Sequence, residues 1–263
     1  VKLAHIVPHS LLECARDSEA FLCLSNLVVR NPFYAEFHRR MAREGKLVIL
    51  DNPVHENGEL DLREWAEAAK LITPTVAIIP DVIDDANATV MYAREFRGVI
   101  REWSPSTRLM AVPHGVEQID FLRCAQELLR LKNPSIHWFG VSLERRLDDD
   151  PYAFQRRVQR VRMLTSEPSF RYRSIHLLGV SEAASEFLHP AFLNVASADT
   201  SKFAVWWLNG TAPLPPSPIK QPYPGRASLG GSTRYFDFEP QEAFLRDRLA
   251  EYLLAWTNYA IHR

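Results

Sequence analysis

The sequence predicts an α/β fold of the (β/α)8 kind, a TIM-type barrel, on three observations. Short apolar runs rich in Val, Ile and Leu recur along the chain, amphipathic stretches separate them, and nearly every run ends in a polar residue or a glycine. Runs that are apolar on both faces read as buried parallel strands. A barrel keeps polar residues at the C-terminal ends of many strands, whereas an open sheet gathers its ligand at one switch point. A doubly wound open sheet shares most of this alternation. The strand count and the spread of polar strand ends favour the barrel. At 263 residues the chain suits one such domain, since single barrels run to about 250 residues.

Taken in order, Phe21–Ser25 (FLCLS) supplies a strand, followed by a helix over Phe33–Glu44. Leu47–Leu50 ends in Asp51, and Leu60–Ile72 then places Leu62, Trp65, Ala66, Ala69 and Leu71 near one helical face. Thr75–Pro80 ends in Asp81 and precedes a helix over Asp85–Trp103. Arg108–Val112 runs into Pro113-His114-Gly115, with a helix over Val116–Leu131. Ile136–Phe139 ends in Gly140; Asp150-Pro151 then resembles an N-cap with proline at the first position of a helix over Tyr152–Leu164. Ile175–Leu178 ends in Gly179-Val180-Ser181, and Ser181-Glu182 opens a further helix. Leu193–Ala198 ends in Asp199, and Phe203–Leu208, ending in Asn209-Gly210, makes the eighth strand. A Pro/Gly-rich loop over residues 211–240 follows this last strand, so it emerges on the catalytic face. An amphipathic helix over residues 241–262 closes the chain. The expectation is one domain over residues 1–263 with a barrel core at about residues 20–210.

Lys and Arg number 31 against 32 Asp and Glu, a formal net charge of −1, which excludes a globally basic nucleic-acid coat. It leaves room for a local basic face. Cys14, Cys23 and Cys124 are odd in number and widely spaced, so they support neither a disulfide framework nor a thiolate zinc site. The N-terminal VKLAHIVPHS has no apolar signal-peptide core, and no apolar run approaches the ~18 residues of a membrane span. A soluble cytoplasmic protein without membrane contact is expected.

Asp51, Asp81 and Asp199 each directly follow a buried apolar run. Aspartate is also a good helix N-cap, but Asp61, Asp84 and Asp85 are better placed to cap the helices after the first two strands. Carboxylates converging in a partly dry mouth repel and split their proton affinities, which separates a nucleophile from an acid/base. His114 at a strand end is either a hydrogen-bonded structural group or a catalyst. His5 and His9 are too isolated to argue from. Gly140 and Gly179 suit a tight turn or close approach of a flat ligand to backbone. Arg156, Arg157, Arg160 and Arg162 crowd one helix, either as a phosphate-binding face or as a solvated face paired with Asp148–Asp150. No HExxH, GxGxxG, Walker loop or GxSxG occurs, so hydride transfer, phosphoryl transfer and serine hydrolysis lose support, and no cofactor or metal is expected.

The segment HLLGVSEAASEFLHPAFLNVASADTSKFAVWWLNG resembles the stretch of tRNA-guanine transglycosylases that runs from a Leu-Met-Gly-Val-Gly turn to a terminal Asn-Gly. LVILDNPVHENG is similar to that family's strand ending in Thr-Asp-Ser-Gly-Gly, and AIIPDVIDD to its strand ending in the base-reading aspartate. AVPHG is similar to its Ile-Val-Gln-Gly, and WFGVSLE to its Gly-Gly-Leu-Ala-Val-Gly-Glu. The order is kept over roughly residues 47–210. The family's zinc-site cysteine pattern is absent from this sequence, and the DNA-modifying 7-deazaguanine transglycosylases of the DpdA type, from bacteriophages and bacterial modification islands, fit better.

The resemblance implies a pentosyltransferase that exchanges guanine in nucleic acid, DNA in preference to tRNA, for a 7-deazaguanine such as preQ0, in a bacterial or phage-infected cell. By it Asp199 is the nucleophile and Asp51 the general acid/base. Asp81 hydrogen-bonds the purine edge, and Asn52, His114, Gly115, Gly140, Gly179 and Lys202 also bind the substrate, Lys202 at its phosphates. Arg156, Arg157, Arg160, Lys220 and Arg226 contact phosphates, and a second copy of the chain or accessory DNA-modification proteins are candidate partners. A barrel acting on a free nucleoside or 7-deazapurine metabolite is the alternative. A silent nucleic-acid-binding barrel is a third reading, against which Asp199 and Asp51 together argue.

Overall fold

In a computed structural model the chain closes eight parallel strands into a barrel, each hydrogen-bonded to the next and the last to the first. The structure describes residues 1–52, 61–103, 106–131, 136–143, 152–180, 189–201, 204 and 244–261. The strands are β1 (Lys2–His5), β2 (Ala20–Leu24), β3 (Leu47–Asp51), β4 (Val76–Ile78), β5 (Arg108–Ala111), β6 (Ile136–Ser142), β7 (Ser174–Leu178) and β8 (Ser197–Thr200). Between and after them lie α1 (Ser25–Arg30), α2 (Pro32–Arg43), α3 (Leu62–Ile72), α4 (Ala86–Trp103), α5 (Gln118–Arg130), α6 (Ala153–Ser166) and α7 (Phe244–Ile261).

The barrel is as expected, but its first strand is not where the apolar runs put it. β1 is the four-residue KLAH, which pairs with β8 from Lys2–Ser197 to His5–Thr200 and closes the sheet. Its single inward residue beside Lys2 is Ala4, so it has too little apolar bulk to stand out as a run. Phe203–Leu208 is not a barrel strand: Ala204 is helical and the other residues of that stretch lie outside the described ones. The core therefore starts at Lys2, not near residue 20. Pro190–Phe192, just before the Leu193–Ala198 run, is a 3-10 turn, and within the run the strand begins only at Ser197. The helix opening at Ser181-Glu182, the loop over 211–240, Lys202, Lys220 and Arg226 lie outside the described residues.

Two apolar sets hold the barrel together. Trp65, Phe96, Phe121 and Phe139 belong to the large set between strands and helices, with Trp65 set edge-on to Phe96 at 4.7 Å. The smaller set fills the barrel itself, with Leu22, Ile49, Val76, Ile78, Met110 and Trp138 among its members. Strand tilt shifts the level by about one residue from each strand to the next, so the pairing register stacks the inward side chains in layers. One layer comprises Ala4, Ile49, Met110 and His176; the next, Leu22, Ile78, Gly140 and Asp199; the next, Ile6, Asp51, Val112 and Leu178. The carboxylates of Asp199 and Asp51 thus enter in the upper two of these layers, toward the C-terminal mouth.

Helix α7 packs against β1 and the 3-10 segment His9–Ala15. His5, facing outward from β1, sets Nε2 3.0 Å from both the Leu253 carbonyl and the Thr257 hydroxyl. His38 on α2 donates from Nδ1 to the Tyr34 carbonyl at 2.9 Å and packs against Phe21 and Phe37. Burial, only partly opposed by those backbone hydrogen bonds, lowers the pKa of each imidazole to about 4. Among the described residues no helix is long and apolar enough to cross a membrane.

Candidate functional site

The helix caps settle which aspartates are structural. Asp61 accepts from the Arg63 and Glu64 amides at the start of α3, and Asp85 accepts from the Ala88 amide at the start of α4. Asp51 and Asp81 are therefore released from capping and stand at the mouth. Asp51, half-buried as the last residue of β3, accepts from the following Asn52 amide at 2.8 Å. Asn52 itself is buried. The Cys23 thiol is pushed up by burial, with the charge of Asp51 adding to the effect.

Asp81 and His114 form a pair across the ends of β4 and β5. His114 Nε2 lies 2.6 Å from Asp81 Oδ2, and because a carboxylate accepts, that ring nitrogen is the donor. His114 is buried while Asp81 keeps part of its carboxylate toward solvent. The histidine thus holds the aspartate rather than standing alone at the mouth. Gly115 follows at a point of close approach: a Cβ there would lie 2.5 Å from the Phe121 amide nitrogen. Backbone cannot yield as a side-chain tip can, so Gly115→Ala is expected to destabilise by about 1–3 kcal/mol. Urea denaturation measures this, and a midpoint equal to wild type would show that the β5–α5 turn relaxes freely.

Asp199 is the most constrained of the three. It lies within β8, not after it, and at 3 % exposure it faces the barrel interior. The Gly179 amide donates to both carboxylate oxygens, at 3.2 and 3.1 Å. From the neighbouring strand His176 Nε2 donates to Oδ1 at 2.9 Å, and Ser197 Oγ sits 2.7 Å from His176 Nδ1. The turn after β7 is pinned to β8 again by the Val180 amide on the Asp199 carbonyl and by the Thr200 hydroxyl on the Val180 carbonyl. Gly179 takes φ +64, the left-handed conformation that favours glycine, and its N–H points into the barrel at Asp199.

His176 and Ser197 were missed in the sequence because they sit inside runs read as apolar. Alternation along β7 is the signal that could have found them: Ile175 and Leu177 belong to the outer core, so His176 must point inward.

Gly140 is a correction on two counts. It lies within β6, which continues to Ser142, and it faces inward. A Cβ there would meet Leu178 Cδ1 and Val112 Cγ2, each at 2.9 Å. Those side chains already fill the space over the glycine, so its backbone is shielded from a flat ligand.

The α6 arginines are a larger correction. Arg157 and Arg160 are each 1 % exposed and face the barrel, not solvent. Arg157 Nη2 donates to the Leu178 carbonyl and, at 3.3 Å, to the Gly179 carbonyl. Arg160 Nη2 donates to the Gly115 carbonyl at 2.8 Å, with its guanidinium 4.7 Å from the Phe121 ring centre. Ala153, Arg157, Val161 and Leu164 follow one helical face, the buried one. The phosphate role assigned to Arg157 and Arg160 is therefore withdrawn. Arg156 is half-buried and Arg162 exposed.

Among the described residues no group of three His, Cys, Asp or Glu side chains is disposed to hold a metal ion. Compared with models of protein families and with curated proteins, the sequence matches none.

Proposed function

We propose that the chain is a base-exchanging pentosyltransferase of the guanine transglycosylase kind, replacing guanine in nucleic acid, DNA in preference to tRNA, with a 7-deazaguanine such as preQ0. The observation that carries this reading is the held carboxylate of Asp199, inward-facing at the C-terminal end of the last strand, with Asp51 one layer above it and more open. Glycosyl exchange needs two such carboxylates: one to attack the anomeric carbon and one to move protons.

In this reading Asp199 Oδ2, the oxygen that His176 does not engage, attacks the sugar C1′ of a nucleotide turned out of its stack. The C1′–N9 bond breaks, and the departing guanine takes a proton from Asp51. The resulting glycosyl ester keeps the nucleic-acid strand on the enzyme. Asp51, now a base, removes the proton from N9 of the incoming 7-deazaguanine, which attacks C1′ and releases Asp199. Asp81, steadied by His114, hydrogen-bonds the purine edge.

The burial of Arg157 and Arg160 favours a second reading, because it removes two of the phosphate grips. A free nucleoside or 7-deazapurine glycoside needs no such grip. Intact-mass analysis of the denatured protein separates the two after mixing with guanine-containing duplex DNA, tRNA or guanosine. A covalent mass increment with DNA that disappears on adding 7-deazaguanine is expected. An increment with guanosine alone would establish the second reading, and none with any substrate would remove both.

A further inference from the structure

We infer that Arg157 is a positioning residue for Asp199, acting through the Leu178–Gly179 peptide. That one peptide unit is held from both sides. Its carbonyl oxygen accepts from the buried Arg157 guanidinium, and its N–H donates to the Asp199 carboxylate. The second Arg157 contact, at 3.3 Å, takes the next carbonyl, that of Gly179, so the one Nη2 amino group spans two successive peptides. A cation on the oxygen draws charge through the amide and strengthens its N–H as a donor. The peptide is trans, and in a planar trans unit the carbonyl and the N–H point in opposite directions, so it can be held at both ends.

His176, backed by Ser197, holds Oδ1 from the far side. The carboxylate is thus fixed between an imidazole on β7 and an amide whose direction α6 sets. Arg157 Nη2 reaches the two peptide carbonyls beside Asp199. Its effect on chemistry is carried by the peptide, and this part of the inference rests on the proposed role of Asp199 as nucleophile.

The test reads the Gly179 amide directly. Protein labelled with carbonyl-13C leucine and 15N glycine reports only on the Leu–Gly peptides, of which the sequence has two, Leu178–Gly179 and Leu229–Gly230. Asp199→Asn identifies the Gly179 signal by moving it upfield. Arg157→Met is expected to move the same signal in the same direction while the overall fold, read by circular dichroism, stays. It is also expected to slow adduct formation roughly tenfold to a hundredfold, the usual effect of a misplaced reacting group.

Arg157→Lys, which keeps the charge but can reach fewer acceptors, is expected to fall between. It decides the matter if the methionine variant does not fold. A folded Arg157→Met, or failing that Arg157→Lys, with the Gly179 signal unmoved would overturn the inference. An unchanged adduct rate with a moved signal would overturn its catalytic half. A moved signal in a protein that forms no adduct with any substrate would keep the positioning and remove the transferase reading instead.

Discussion

Asp199→Asn is expected to lower adduct formation and base exchange by about a thousandfold or more, roughly 4 kcal/mol of barrier, with little change in fold. The substitution removes the negative charge that would attack C1′ and leaves a neutral amide of the same size. It also turns a mutual fit into a conflict. In the native site both partners of the carboxylate are donors, the Gly179 amide and His176 Nε2. An asparagine keeps only one oxygen for these donors, and an amide nitrogen placed where Oδ2 lies confronts the Gly179 N–H. Single-turnover exchange of labelled guanine, alongside the thermal midpoint, measures both effects. Exchange at the wild-type rate in this variant would remove Asp199 as nucleophile and leave it a structural tie between β7 and β8.

Stability is expected to fall steeply between pH 6.5 and about pH 4. His5 and His38 are buried, and desolvation holds each pKa near 4 in the fold, against an ordinary value near 6.5 in the unfolded chain. The unfolded state therefore binds protons first as the pH drops. Stability is full above pH 6.5, declines through the window, and levels off with respect to these groups once the folded imidazoles protonate near pH 4.

Each histidine accounts for roughly 3 kcal/mol at the acid limit, at about 1.4 kcal/mol per pKa unit. Together these are a large share of the ~5–15 kcal/mol that holds a typical domain. The slope between pH 6.5 and 5 isolates the histidines, because ordinary carboxylates titrate below it. His38→Leu, placed among Phe21, Tyr34 and Phe37, is expected to halve that slope. A urea midpoint that stays constant from pH 7 to pH 5 would show that neither histidine is held neutral by the fold.

How much of this was legible beforehand differs from element to element. β3 is Leu47–Asp51 and β7 is Ser174–Leu178, each within a residue of its apolar run. These strands are buried on both faces, and a period-free apolar run is the direct record of that. β1 left no such record, because Lys2, Ala4 and His5 carry little apolar bulk and the strand is recognisable by its pairing with β2 and β8. Asp61 and Asp85 as caps were readable from their distance to the next helix. Arg157 and Arg160 were misread because charge density suggested solvent, while their spacing along α6 already placed them on the face with Val161 and Leu164.

By itself the sequence determined the barrel and the strand-end aspartates, since both follow from local chemistry: which segments are apolar enough to be buried as strands, and where each run stops. Only the tertiary structure decided what holds those aspartates. His176 and Asp199 are 23 residues apart and meet because β7 and β8 pair. Arg157 lies 21 residues from the Leu178 carbonyl that it orients. Such contacts depend on strand register and helix rotation, which closure of the barrel sets, and no local pattern of residues encodes them alone.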